Sequence, residues 1–164
     1  MGYGDRTLVG VGGWLAFFCI VMGILTPIRV VVATAALYAD PNIAYAFGER
    51  WAIIQGVEWA LSIGTIAGAW YLVWRLMKVE VWQTVRIVIA GIWILGLAVP
   101  ALEMLLASWL GGFSIAAVAA ETGVELIRGL IFAVIWTAYF LRSERVANTY
   151  ARGDDPDDPQ QVFG

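Results

Sequence analysis

Histidine is missing from this chain, and cysteine occurs once, at Cys19, among 164 residues. Without histidine, the usual near-neutral acid–base group and the commonest metal ligand are gone. A lone cysteine excludes an internal disulfide framework and any multi-cysteine metal site. Charge is scarce too: 14% of residues are charged, against about 25% in an average soluble domain. The net charge of −3 comes largely from the C-terminal tail, so nucleic acid has no basic surface to meet. The Gly10-Val11-Gly12-Gly13 run opens an apolar segment and follows no strand, so it is no phosphate cradle. No paired serine–base arrangement is visible either. Neither a metal, a cofactor nor an enzyme is expected.

Hydrophobicity is what the chain has in excess: 61% of residues, with a mean hydropathy of +0.78. An apolar run of about 20 residues crosses the bilayer core as a helix, and four such runs predict helices over about 8–32, 51–76, 82–110 and 114–142. The first resembles a secretory signal near Ala33-Thr34-Ala35, but its apolar run is too long and Arg29 interrupts it. The fold class is therefore all-α, a four-helix transmembrane bundle over residues 1–150. The acidic stretch 151–164 has no apolar periodicity and reads as a disordered cytoplasmic tail.

Lysine and arginine set the orientation. Arg6 precedes the first helix, Arg75, Lys78 and Arg86 flank the middle turn, and Arg142, Arg145 and Arg152 follow the fourth. The other two connections carry only Arg29 and Arg50. Both termini are expected in the cytoplasm, with membrane lipid as the protein's surroundings.

The order of the helices suggests two tandem hairpins. Gly56-Val57-Glu58 recurs as Gly123-Val124-Glu125, and aligning the two places Arg75 on Arg142 and Lys78 on Arg145. Gly23 stands four before Pro27, as Gly96 stands four before Pro100. Parallel repeats of this kind occur in some transporters; coincidence in an apolar background is the other reading. Each proline removes a helical hydrogen bond and clashes with the carbonyl four residues back, so Pro27 and Pro100 predict kinks. On the second helix, Gly56, Ala60, Gly64 and Gly68 step by four and form a small-residue groove. Such grooves let helices approach closely in lipid, and packing within the bundle is favoured here over dimerisation. Gly129, Ala133 and Thr137 make a shorter groove on the fourth helix.

Charged residues inside the runs carry the functional signal. At about 1.5 Å per residue, Glu58 lies roughly 7 Å outside its helix centre, Glu125 roughly 4–5 Å and Glu103 roughly 10 Å. Glu121 lies one turn beyond Glu125, and Arg128 falls near the midplane. Gln55, Glu58, Ser62 and Thr65 form a polar stripe. A charge at the centre of a membrane helix costs at least about 2.5–3.5 kcal/mol on insertion scales, so these groups should face inward, pair or meet water. Arg128 is expected to pair with Glu125 or, across the bundle, Glu58. Gln55, Glu58, Glu103, Glu121, Glu125 and Arg128 form the candidate ligand or ion cluster; the alternative is a charge-paired knot that fixes helix register.

The opening Gly12-Gly13-Trp14-Leu15, Pro27, and the closing Tyr139-Phe140-Leu141-Arg142-Ser143-Glu144-Arg145-Val146-Ala147-Asn148-Thr149-Tyr150 resemble a bacterial membrane-protein family known as domain of unknown function 2569. The resemblance covers about residues 8–150. It implies a four-helix inner-membrane protein and no particular activity. Physically, the ending reads as a basic amphipathic segment, with Val146 and Tyr150 toward lipid and Arg142 and Arg145 toward anionic headgroups. The resulting expectation is a non-enzymatic ligand-binding or accessory component, with a membrane-protein partner or a second copy as candidate partner. A small proton- or cation-coupled carrier, working as an oligomer, is the alternative.

Overall fold

The computed structural model describes residues 10–39 and 41–150; for Pro41, Ile43, Ala46 and Glu121 the backbone alone is described. Helix α1 spans Trp14–Ala39, α2 is the short Pro41–Phe47, α3 is Trp51–Lys78, α4 is Trp82–Gly111, α5 is Ile115–Arg142 and α6 is Glu144–Thr149. No strand occurs among the described residues. Four of the helices, α1, α3, α4 and α5, are long and apolar enough to cross a membrane.

The first helix departs from its expected limits at both ends. Gly10 and Gly13 hold φ of +83° and +56°, a left-handed conformation that glycine adopts without strain, so the helix cannot start before Trp14. At its other end it runs on to Ala39, because Arg29 remains exposed and the apolar sequence continues beyond it.

Each proline is accommodated the same way. A five-residue π-turn, Val21–Leu25 or Ile94–Ala98, ends two residues before Pro27 or Pro100. Widening the helix there relieves the clash between the proline ring and the carbonyl four residues back. The two carbonyls concerned both meet a neighbouring helix. Trp70 on α3 donates its indole N–H to Gly23 O at 3.0 Å. On the other side, the Gly96 carbonyl lies against Gly129 of α5 so closely that a Cβ at Gly129 would overlap it.

At the Gly96–Gly129 crossing the two backbones meet directly, and the α5 groove continues along it. Ala133 is fully buried, and Thr137 Oγ1 accepts the Trp93 indole N–H at 3.1 Å. The longer stripe on α3 behaves differently. Gly68 packs on Leu95 at 3.3 Å from its Cβ position, but Gly56 and Gly64 meet nothing within 4 Å, and Ala60 is exposed. Three of the four expected packing residues thus face out of the bundle, since helical period defines a face without saying which neighbour covers it.

The core sits in one half. Phe18, Leu76, Val85, Val88, Ile92 and Phe140 are buried there, close to the end carrying Arg75, Lys78, Arg86, Arg142 and Arg145, here called the basic end. No residue of Val99–Gly111 is fully buried, and none of α3 before Ser62. Between α1 and α5 the basic half is filled by rings: Phe18 packs on Trp136 (centroids 4.7 Å apart), Phe140 (5.1 Å) and Phe132 (6.3 Å).

The ending of the chain is turned inward. Val146 and Tyr150, expected toward lipid, are both fully buried. The Tyr150 hydroxyl donates to Leu76 O at 2.7 Å, Gly10 N–H donates to Thr149 Oγ1 at 2.8 Å, and Thr149 Oγ1 donates to Arg145 O at 2.7 Å. Helix α6 thus folds back under the bundle and stitches the ends of α3, α5 and the N-terminal turn together. Ser143 starts it, its hydroxyl accepting from Val146 N–H, as N-cap serines do. The acidic tail 151–164 lies outside the described residues.

Candidate functional site

The half away from the basic end holds a cavity of about 310 Å³. All four long helices line it: Ala33 and Leu37 from α1, Val57, Glu58 and Leu61 from α3, Pro100, Glu103 and Met104 from α4, and Thr122 and Glu125 from α5. Its existence follows from the packing. The aromatic wedge of Phe18, Phe132, Trp136 and Phe140 holds α1 and α5 apart in the basic half. Towards the distal end the ring-bearing positions of α5 give way to Gly129, Arg128 and Glu125, and the second half of α1 packs on α3 rather than on α5. Space is left between them.

Three carboxylates border that space, in two different states. Glu125 is paired twice: Arg29 Nη1 reaches its Oε2 at 2.9 Å and Arg128 Nη1 its Oε1 at 2.6 Å. The second contact is the expected pair one turn along α5; the first crosses the gap between α1 and α5. Glu58 and Glu103 have no hydrogen bond and no ion pair among the described residues, and neither has a sealed-off oxygen. They lie close enough for their charges to interact, and Arg29 is within electrostatic range of Glu103. A carboxylate at membrane depth costs several kcal/mol unless it is hydrated, paired or protonated. These two are left open to whatever fills the cavity.

Other candidates are placed elsewhere. Gln55 is half-buried off the cavity wall, its backbone carbonyl accepting a long 3.4 Å bond from the Tyr38 hydroxyl. Ser62 is buried and bonded to Thr34 Oγ1 at 2.9 Å, so the polar stripe of α3 divides into one cavity residue, Glu58, and a polar tie to α1. The side chain of Glu121 lies outside the described residues. Pro100 lines the cavity, which places the second π-turn directly beneath the site; Pro27 does not line it. Arg29 is a residue that the sequence places near the outer rim of the cluster without pairing it to Glu125. Its signal was position along the helix. The separation of Arg29 from Trp14, at the start of α1, nearly matches that of Glu125 from Arg142, at the end of α5. Antiparallel helices then bring the two to similar height.

Despite sharing a wall, the carboxylates do not gather around a point. Among the described residues no three acidic or thiol groups are close enough to hold one metal ion. The arrangement suits a ligand with some extent, carrying positive charge on one part and apolar surface on another.

Among the described residues outside the membrane-spanning helices, one titratable group is strongly perturbed. Burial first, then the neighbouring Cys19, Glu80 and Tyr139, push the Tyr150 phenol well above its ordinary value of 10.0. The neutral phenol is also the form that donates to Leu76 O.

The fold and this site define a class: a multi-pass membrane protein built as a four-helix bundle, packed in one half and hollow and acidic in the other. The chain belongs to the family described as Protein of unknown function (DUF2569), whose model matches residues 8–151. No curated protein and no solved structure matches it. The match takes in both π-turn helices, the cavity residues and the inward-folded ending through Tyr150.

Proposed function

We propose that the protein is a non-enzymatic binding component of the bacterial inner membrane, holding a positively charged ligand in the distal cavity. Both termini lie in the cytoplasm in this reading, because the basic end carries most of the lysine and arginine. The cavity then lies in the outer half of the bilayer. The observation that carries the reading is the pair Glu58 and Glu103, unpartnered among the described residues within a largely apolar cavity to which every long helix contributes. A knot made only to fix helix register would pair these carboxylates as Glu125 is paired.

Native mass spectrometry after gentle extraction tests it. The wild type should retain a small-molecule adduct, and the double variant Glu58→Gln/Glu103→Gln should lose it while melting within a few degrees of wild type. Bare monomers from both would end the proposal.

A second reading, a proton- or cation-coupled carrier, draws on the π-turn beside the site, since such turns inside α-helices are frequent at functional sites. It requires Glu58→Gln or Glu125→Gln to abolish flux in proteoliposomes with the fold intact. The stitched basic end opposes a continuous path, because Tyr150 fills it. Flux that survives both substitutions, or is absent from wild type, removes the carrier.

A further inference from the structure

We infer that the ligand of this cavity is a phospholipid whose headgroup ends in a primary ammonium, entering from the bilayer between α1 and α5. The inference rests on the binding role proposed above and names the chemistry of its ligand.

Charge is distributed unevenly over the site. At the rim, Arg29 and Arg128 share the single carboxylate of Glu125, and their side chains are 64% and 69% exposed. A guanidinium offers five N–H donors in a planar fork, so most donors at the rim remain available after Glu125 is satisfied. Arginine forks suit phosphate oxygens in particular. Inside, the Glu58 and Glu103 carboxyls have no hydrogen-bond or ion-pair partner among the described residues. The rim therefore attracts an anion and the interior a cation. One molecule carrying both charges satisfies both parts at once.

Depth points to the same chemistry. Arg29 follows Trp14 by about four helical turns, and Arg128 precedes Arg142 by about the same rise. At about 1.5 Å per residue, both lie roughly 21–23 Å from the basic end of a hydrocarbon core about 30 Å thick, so Arg128 stands beyond the midplane where the sequence alone placed it. The opposite headgroup layer is thus about 7–9 Å away, a height from which long arginine side chains reach towards the interface. Lipid phosphate is the anion concentrated there. Around the two arginines their helices present Leu25, Ile28 and Val32 on α1 and Val124, Ile127 and Ile131 on α5, all exposed and apolar. Acyl chains can lie along those faces without leaving the bilayer.

The choice of ammonium follows from the carboxylates. Two carboxylates accept hydrogen bonds, and a primary ammonium supplies three donors where a trimethylated nitrogen supplies none. A headgroup ending in hydroxyls would bring neither carboxyl a cationic partner.

Titration of the delipidated protein with dioleoyl phosphatidylethanolamine or dioleoyl phosphatidylglycerol, read as adducts by native mass spectrometry, tests this. The ethanolamine lipid should be preferred by about tenfold or more, the size of a hydrogen bond to a charged group. Glu58→Gln/Glu103→Gln should erase the preference. Arg128→Gln, which keeps the Arg29–Glu125 bridge, should weaken both lipids together. Equal binding of the two lipids by wild type, preference for glycerol, or displacement by millimolar inorganic phosphate would overturn the inference. The comparison in wild type needs no variant to fold. If a different adduct persists that depends on Glu58 and Glu103, the lipid fails and the binding role stands; if no adduct forms at all, both fail.

Discussion

Gly129→Ala should cost the bundle heavily, at or beyond the upper end of the roughly 1–3 kcal/mol typical of overpacking. The added methyl would coincide with the Gly96 carbonyl oxygen, a backbone atom. That oxygen sits in the π-turn ahead of Pro100, so α4 and α5 would have to separate for the methyl to fit. Gly64→Ala, on the outward stripe of α3, should have almost no effect, because its Cβ position is open. Thermal unfolding of the two variants in the same detergent checks the contrast. Equal melting temperatures would mean that α4 and α5 do not cross at Gly96 and Gly129.

Tyr150→Ala should be comparably damaging, by about 3–5 kcal/mol for an aromatic side chain removed from a packed core. Tyr150 is the largest fully buried side chain among the described residues, and its hydroxyl ties α6 to the last turn of α3. A lipid-facing Tyr150 would predict little change, so the substitution separates the two placements. Its pH dependence has a definite sign. The phenol's value is raised in the folded state, so its contribution is fully present below the unfolded value of about 10. It is lost as pH rises beyond that, because only the unfolded chain ionises readily. Tyr150→Phe should lower the melting temperature modestly near pH 8 and flatten the decline above about pH 10. An unchanged alkaline decline in the phenylalanine variant would place the titrating group elsewhere.

Much of the architecture could be read from residue order alone, because four long apolar runs have few alternatives once charge is so scarce. The prolines announced a disturbance, but not its form. Whether a helix kinks or widens depends on what meets the freed carbonyl. Here that is Trp70 for Gly23 and Gly129 for Gly96, each on a different helix and far away in sequence. The α3 stripe illustrates a different limit. Gly56, Ala60 and Gly64 have the spacing of a packing groove, yet the bundle turns them outward and uses Ser62 for the contact with α1 instead.

The ending shows why amphipathicity is ambiguous in a membrane protein: lipid and core are equally apolar, so Val146 and Tyr150 fit either. Only the reverse turn at Ser143, where the helix breaks and restarts, selects the core. For the site, Glu58, Glu103, Glu125 and Arg128 stood out because intramembrane charge is expensive. Their division into a paired carboxylate and two unpaired ones was not legible. It depends on Arg29 reaching across from α1, and on a gap made by aromatic rings about two to four turns away along α5.

The central claim is that Glu58 and Glu103 face an open cavity on the side of the membrane opposite the basic end. Cysteine accessibility tests it most directly. In a Cys19→Ser background, Glu103→Cys and Glu58→Cys should each be labelled in intact cells by a cationic, membrane-impermeant thiol reagent added from outside. Val88→Cys, in the packed half, should remain unlabelled in the same cells. Failure of both cavity positions to react, in protein shown to be folded and inserted, would contradict the account.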